Sequence, residues 1–213
     1  MSARTWWHWR RLLLASETDS DPGRDIAQRL AASPARRPSL LGIDGRSGSG
    51  KSHLAGQVCQ KLYQHGLSSS MVMMDDLYEG WDGLASAPQG LCAQVIEPMC
   101  AGTPAEYRRY DWNVGAFTTV VTVPPADIVV IEGVGSTRHR RRDAFVLTVW
   151  VQAPASVRHE RACQRTGQGD FAPHARSWAE AEDGLFGVDA YPTPPTGYDL
   201  VVDTAGLAAS RRG

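Results

Sequence analysis

Gly45-Arg46-Ser47-Gly48-Ser49-Gly50-Lys51-Ser52 fits the pattern G-x-x-x-x-G-K-[ST], a loop whose backbone wraps a polyphosphate. Gly45, Gly48 and Gly50 let the chain turn with its N–H groups inward, those of Ser47 and Ser49 among them. Those donors and the positive end of the following helix cradle phosphate oxygens. Lys51 places a point charge on the terminal phosphates, and the Ser52 hydroxyl is placed to ligate Mg²⁺. Lys51 and Lys61 are the only two lysines, against twenty arginines, so a chance G-K-S is unusual here.

Other candidates stand where strands are expected to end. Asp75 and Asp76 close the apolar run 70–74, and a carboxylate there could take the proton of a hydroxyl attacking a γ-phosphate. Glu132 follows Ile128-Val129-Val130-Ile131, four apolar residues and then an acid, the pattern that sets a carboxylate near the Mg²⁺ of such a loop. Arg158, Arg161 and Arg165 are spaced three and four apart on one helix face, ahead of Gly167-Gln168-Gly169. Arginines on a lid offset charge on transferring phosphoryl oxygens, and a solvated helix face would read the same way. Tyr107, Tyr110 and Trp112 interleave with Arg108, Arg109 and Asp111, a make-up that suits a flat stacking ligand or a loop packed on the core. Arg138-His139-Arg140-Arg141-Arg142 reads as an exposed basic turn. The six histidines form no cluster and take no catalytic role.

The elements that must position these residues follow from periodicity. Leu40, Leu41 and Ile43 predict a buried parallel strand over 39–44, and Leu54, Val58 and Leu62 a helix that runs to a cap at Gly66. Strands are expected at 70–74, 128–131, 145–151 and 200–202, with an edge strand or hairpin at 118–123. Helices are expected at 91–102, 155–165 and 173–186, with 77–90 a loop or short turns and 108–116 irregular. Ahead of the first strand, an amphipathic helix over 5–15 and a second around Ile26–Ala31 make residues 1–38 an N-terminal helical extension of a domain spanning 39–213. Strands alternating with helices predict an α/β fold: a parallel sheet sandwiched by helices, with its crevice at the carboxyl ends of the strands.

At 213 residues the chain suits one core of ordinary size. The net charge of −1 gives no pointer to nucleic acid or to a membrane surface. Cys59, Cys92, Cys100 and Cys163 form no C-x-x-C pair, which fits free thiols in a reducing compartment. Leu12-Leu13-Leu14-Ala15 is too short for an export segment and no 18 apolar residues run together, so a cytoplasmic protein is expected.

In this order the motifs resemble the uridine kinase family of P-loop kinases, in particular small actinobacterial uridine kinase-like proteins. The likeness covers roughly residues 40–203 and rests on Gly45–Ser52, Asp75-Asp76-Leu77-Tyr78, Tyr110-Asp111, Glu132-Gly133-Val134-Gly135, the segment 158–165 and Tyr198-Asp199. It implies a P-loop nucleoside triphosphate hydrolase/kinase fold, ATP and Mg²⁺ as cofactors, and a small hydroxyl-bearing acceptor such as a nucleoside. It implies Asp75 as base with Asp76 as fallback, and Asp82 on a ribose. Tyr110 would stack on the base beside Tyr78, and Arg158, Arg161 and Arg165 would serve as lid arginines. One departure stands out: Tyr110-Asp111 is followed by Trp112-Asn113-Val114-Gly115, without the family's pyrimidine-choosing histidine. Kinases for a vitamin precursor, a sugar or a nucleoside monophosphate therefore stay open, as does a nucleotide-binding regulatory module. No Asn-Lys-x-Asp and no Leu-Ser-Gly-Gly occurs, which argues against a GTPase and an ABC-type ATPase.

Overall fold

The computed structural model describes residues 11–14, 21–33, 38–164 and 171–206. Six strands form one parallel sheet in the order β1-β8-β7-β2-β6-β3. They are β1 (Arg11–Leu14), β2 (Ser39–Asp44), β3 (Ser69–Met73), β6 (Ile128–Glu132), β7 (Phe145–Gln152) and β8 (Leu200–Asp203). β2 and β6 are buried along their whole length, as expected of apolar runs covered on both faces. A separate antiparallel hairpin is made by β4 (Glu106–Asp111) and β5 (Ala116–Thr122).

Each face of the sheet has its own core. On one, α1 (Pro22–Ala31) and α2 (Lys51–Gln64) bring Ile26, Leu30, Val58 and Leu62 against Ile43, Val130 and Val149. On the other, α3 (Ala87–Leu91), α4 (Glu97–Cys100) and α6 (Ala175–Phe186) pack with Tyr107 of the hairpin against Val72, Val129 and Ile131. A π turn at Cys92–Ile96 joins α3 to α4, just ahead of Pro98, which has no N–H to continue a regular ladder. α5 (Ala155–Cys163) follows β7.

Two expectations change. Of the helix expected over 5–15, the described part, Arg11–Leu14, is a strand paired in register with Leu200–Asp203, and the rest lies outside the described residues. Leu12-Leu13-Leu14 is an unbroken apolar run with no helical spacing, and it covers an edge that β8 would otherwise leave open. Residues 108–116, expected to be irregular, mostly belong to the hairpin, whose second strand was the part legible from its β-branched run. The lid glycines 167–169 and Arg165 lie outside the described residues.

Candidate active site

The phosphate loop leaves β2 at Asp44 and enters α2 at Lys51. Its glycines are fixed by geometry. Gly48 has φ +73°, and a Cβ there would lie 2.0 Å from the Arg158 carbonyl oxygen. Gly45 has φ +148°, and a Cβ would lie 2.2 Å from the Val151 carbonyl oxygen. α2 begins with Gly50 and no side-chain cap, so its first N–H groups are left for a ligand. Lys51 is buried and folds back to donate from Nζ to the Arg46 carbonyl at 2.9 Å. Ser52 is exposed at the start of the helix, and the Ser49 hydroxyl is buried without a hydrogen-bond partner among the described residues.

Three strand ends line up beside this loop. Ile43, Glu132 and Met73 share one register row across β2, β6 and β3, which places Glu132 between the phosphate loop and the Asp75–Asp76 segment. Glu132 is buried. β3 stops at Met73, and Met74–Asp76 form a 3-10 turn instead of the strand end expected from sequence. The two acids are therefore not sent to opposite faces by a pleat. Asp75 is half-buried, its carbonyl accepts from Trp112 Nε1 at 3.0 Å, and its carboxylate has no hydrogen-bond partner among the described residues. Asp76 accepts a bond from the Tyr107 hydroxyl at 2.9 Å. Burial raises its pKa, the neighbouring Asp75 adds to the rise, and Tyr107 and Arg109 oppose it.

The arginines split. Arg161 is turned to Thr204, with Nη1 on its hydroxyl at 2.9 Å and Nη2 on its carbonyl at 3.0 Å. The Thr204 hydroxyl in turn donates to the Ser49 carbonyl at 2.8 Å. Arg158 reaches the phosphate loop, pairs with Asp189, and lies 3.9 Å from Glu182. Glu182, 2% exposed, is the residue no motif announced. Its Oε1 accepts the backbone N–H of Ser47 at 2.6 Å and the indole N–H of Trp178 at 3.2 Å. Its Oε2 lies 3.6 Å from Arg46, which also pairs with Asp183 at 2.8 Å.

Asp44 is the second residue without a sequence signal beyond its place before Gly45. It is fully buried and accepts from the N–H groups of Gly45, Gly135 and Thr137 and from the hydroxyls of Thr137 and Tyr198. It thereby ties the phosphate loop to the loop that follows Glu132.

An aromatic wall closes the crevice on the hairpin side. Trp112 meets Trp81 and Tyr110 edge-on, and Trp81 stacks flat on His174 at 4.5 Å. Tyr110 is half-buried and its hydroxyl approaches Gly80, where a Cβ would lie 3.2 Å away, so it stands beside the turn that carries exposed Asp82. Tyr78, expected at the acceptor, is 1% exposed. Its hydroxyl donates to the Val134 carbonyl at 2.9 Å and its ring meets Trp178 edge-on. It is part of the wall's support, because a 3-10 turn and not a strand precedes it.

The residues present fit a polyphosphate with a divalent cation. The loop's N–H groups can donate to an anionic oxygen, since one of them already donates to the chain's own Glu182 carboxylate. Ser52 and Glu132 offer the hydroxyl and carboxylate oxygens that Mg²⁺ prefers.

No family model matches the chain. Curated uridine kinases are similar to it. That of Staphylococcus carnosus (strain TM300) is 23% identical over 140 residues, covering 60% of this chain and 67% of the relative. That of Latilactobacillus sakei subsp. sakei (strain 23K) is 26% identical over 144 residues, covering 61% and 67%. Among solved structures, a possible uridine kinase from Bacillus stearothermophilus superposes with a TM-score of 0.57 at 23% identity, over 85% of this chain and 98% of that one. A putative fructose transport system kinase from Silicibacter sp. TM1040 gives 0.56 at 20%, over 85% and 99%. D-glycerate 3-kinase from Cryptococcus neoformans var. grubii gives 0.54 at 16%, over 87% and 96%. The chain resembles the uridine kinases, and its fold is that of P-loop kinases.

Proposed function

We propose that this chain is an ATP- and Mg²⁺-dependent kinase that transfers a phosphoryl group to a hydroxyl of a small, nucleoside-like acceptor. The observation that supports the reading most is the register row Ile43, Glu132 and Met73, beside which stand the phosphate loop after β2 and the turn carrying Asp75 after β3. Lys51, Ser47–Gly50 and the first turn of α2 hold the phosphates, with Arg158 and Arg161 at the side where charge spreads during transfer. Ser52 and Glu132 would hold Mg²⁺, which when bound screens the phosphate charge. Asp75 takes the acceptor's proton as its oxygen attacks in line. Asp82 and Tyr110 orient the acceptor, and Asp76 shapes the pocket beside the base.

A second reading differs only in the acceptor. The solved neighbours are named for uridine, fructose and glycerate, and Tyr110 packs edge-on against Trp112 and Phe117, which favours a more compact acceptor than a stacked pyrimidine. The test is ADP release with ATP and Mg²⁺, measured with uridine, fructose and glycerate in turn. An acceptor-dependent rise supports a kinase and names the class. If ATP binds and none of a broad panel of hydroxyl compounds raises ADP release, the chain is a nucleotide-binding module instead.

A further inference from the structure

The basic run 138–142, an exposed turn by sequence, is divided by the fold. Arg140 pairs with Glu97, and Arg141 with Asp143. Arg138 and Arg142 have no carboxylate partner among the described residues. Each donates instead to a backbone carbonyl, Arg138 to Leu185 and Arg142 to Gly197. Each also lies over a ring, 5.1 Å from the centre of Phe186 and 4.7 Å from that of Tyr198. These contacts hold both guanidinium groups in place and neutralise neither.

His139 stands between them in sequence and is 8% exposed. Its Nδ1 accepts the Arg141 N–H at 3.2 Å, which puts the proton of the neutral ring on Nε2. Nε2 makes no hydrogen bond of normal geometry among the described residues, and neither does the buried Nε–H of Arg138. Burial keeps the imidazole below its usual pKa, against the pull of the Ser136 carbonyl and Asp44. A buried donor left without a partner costs stability, so two in one place call for an explanation. Asp44 does not supply one. Its two oxygens already take bonds from Gly45, Gly135, Thr137 and Tyr198, none of them from an arginine.

Arg138, His139 and Arg142, with Gln89, Thr137, Gly184 and Leu185, line an open cavity of about 410 Å³. That volume is within the range of small-ligand sites. Two fixed guanidinium groups without an ion pair among the described residues, with an imidazole N–H, are the donor set that a tetrahedral oxyanion accepts. We propose that this cavity binds a phosphate group, free or as the monoester end of a small metabolite, at a place that shares no residue with the phosphate loop.

The experiment titrates the full chain, its phosphate loop saturated with a non-hydrolysable ATP analogue, with inorganic phosphate and separately with ribose 5-phosphate. The His139 ring resonances, assigned by loss in His139→Gln, report binding. A saturable shift is expected, weakened about tenfold or more in Arg142→Gln, the weight of one charged hydrogen bond, and abolished in Arg138→Gln/Arg142→Gln. Tighter binding of one probe than the other tells a free anion from a phosphorylated ligand. The proposal is overturned if no saturable shift develops by about 50 mM, beyond the weak end of specific binding. It is equally overturned if Arg142→Gln, folded by its circular dichroism, responds as the parent does.

Discussion

Asp75 and Asp76 are neighbours in one turn with opposite circumstances. Asp75 has a carboxylate free to meet an acceptor, and Asp76 is held by the Tyr107 hydroxyl. Asp75→Asn is expected to leave ATP affinity unchanged and to cut turnover by about 10²-fold or more, the usual weight of a general base. Titration calorimetry and steady-state rates check this, and full turnover in the variant would remove Asp75 from the mechanism. Asp76→Asn separates stability from chemistry. Because burial raises the Asp76 pKa, the folded chain retains a proton that the unfolded chain has already lost. Ionising Asp76 therefore costs stability as pH rises from the unfolded pKa through the raised folded one. The amide removes that cost and can still accept from Tyr107. Thermal melts should show Asp76→Asn more stable than the parent at neutral pH, with the gap closing below about pH 4, where both side chains are neutral. At this scale Lys51, Ser52, Asp75 and Glu132 were legible because each sits inside a local motif or after an apolar run. Asp44, Glu182 and Thr204 were not, because their partners lie far off in sequence: Gly135 is 91 residues from Asp44, Ser47 is 135 from Glu182 and Ser49 is 155 from Thr204.

Among the elements, the phosphate loop and α6 are one unit. Gly48→Ala would force a Cβ onto the Arg158 carbonyl at a positive φ, so the loop or α5 must shift. ATP affinity is expected to fall at least tenfold. Gly56→Ala, in the same chain but at an exposed position within α2 with nothing near its Cβ, should instead raise stability by about 0.5–1 kcal/mol. Equal effects of the two substitutions would show that the tight approach at Gly48 does not matter. Glu182 offers a sharper test. Its carboxylate holds the Ser47 N–H and stands near Arg46 and Arg158, groups that would meet an incoming phosphate under the proposed function. Glu182→Gln keeps the side chain's size, and Arg46 and Arg158 keep Asp183 and Asp189. ATP affinity should rise by about tenfold, or 1.4 kcal/mol, as a competing negative charge is removed. A comparable fall would make Glu182 a support of the loop. The alternation of strands and helices was readable because apolar periods differ between them. β4 and β1 were not, because one mixes charges with aromatics and the other is only four residues long.

At the scale of the whole molecule, the sheet divides the core into an aliphatic face, which carries α2 behind the phosphate loop, and an aromatic one, which carries the wall of the crevice. Ile26 belongs to the first. It is fully buried, and it packs α1 with α2 behind the sheet. Trp178 belongs to the second. Its ring meets Tyr78 and Trp81, and its N–H donates to Glu182, which in turn holds Ser47. Both are fully or nearly fully buried, so both truncations should be costly: about 2–5 kcal/mol for Ile26→Ala and about 3–5 kcal/mol for Trp178→Ala, from lost burial and the cavity left behind. Their effects on the site should differ. With Ile26→Ala, the chain that remains folded should bind ATP as the parent does, because the ion pair from α1 to α2, Asp21 with Lys61, lies in the last turn of α2, away from the loop donors. With Trp178→Ala, Glu182 loses the indole that fixes it and Trp81 loses a neighbour, so ATP affinity and acceptor-dependent turnover should both change. Urea denaturation gives the stabilities, and calorimetry below the unfolding transition gives the affinities. If Ile26→Ala altered ATP binding as much as Trp178→Ala, the α1 side of the core would be coupled to the loop, and the separation of Ile26 from the site would be wrong.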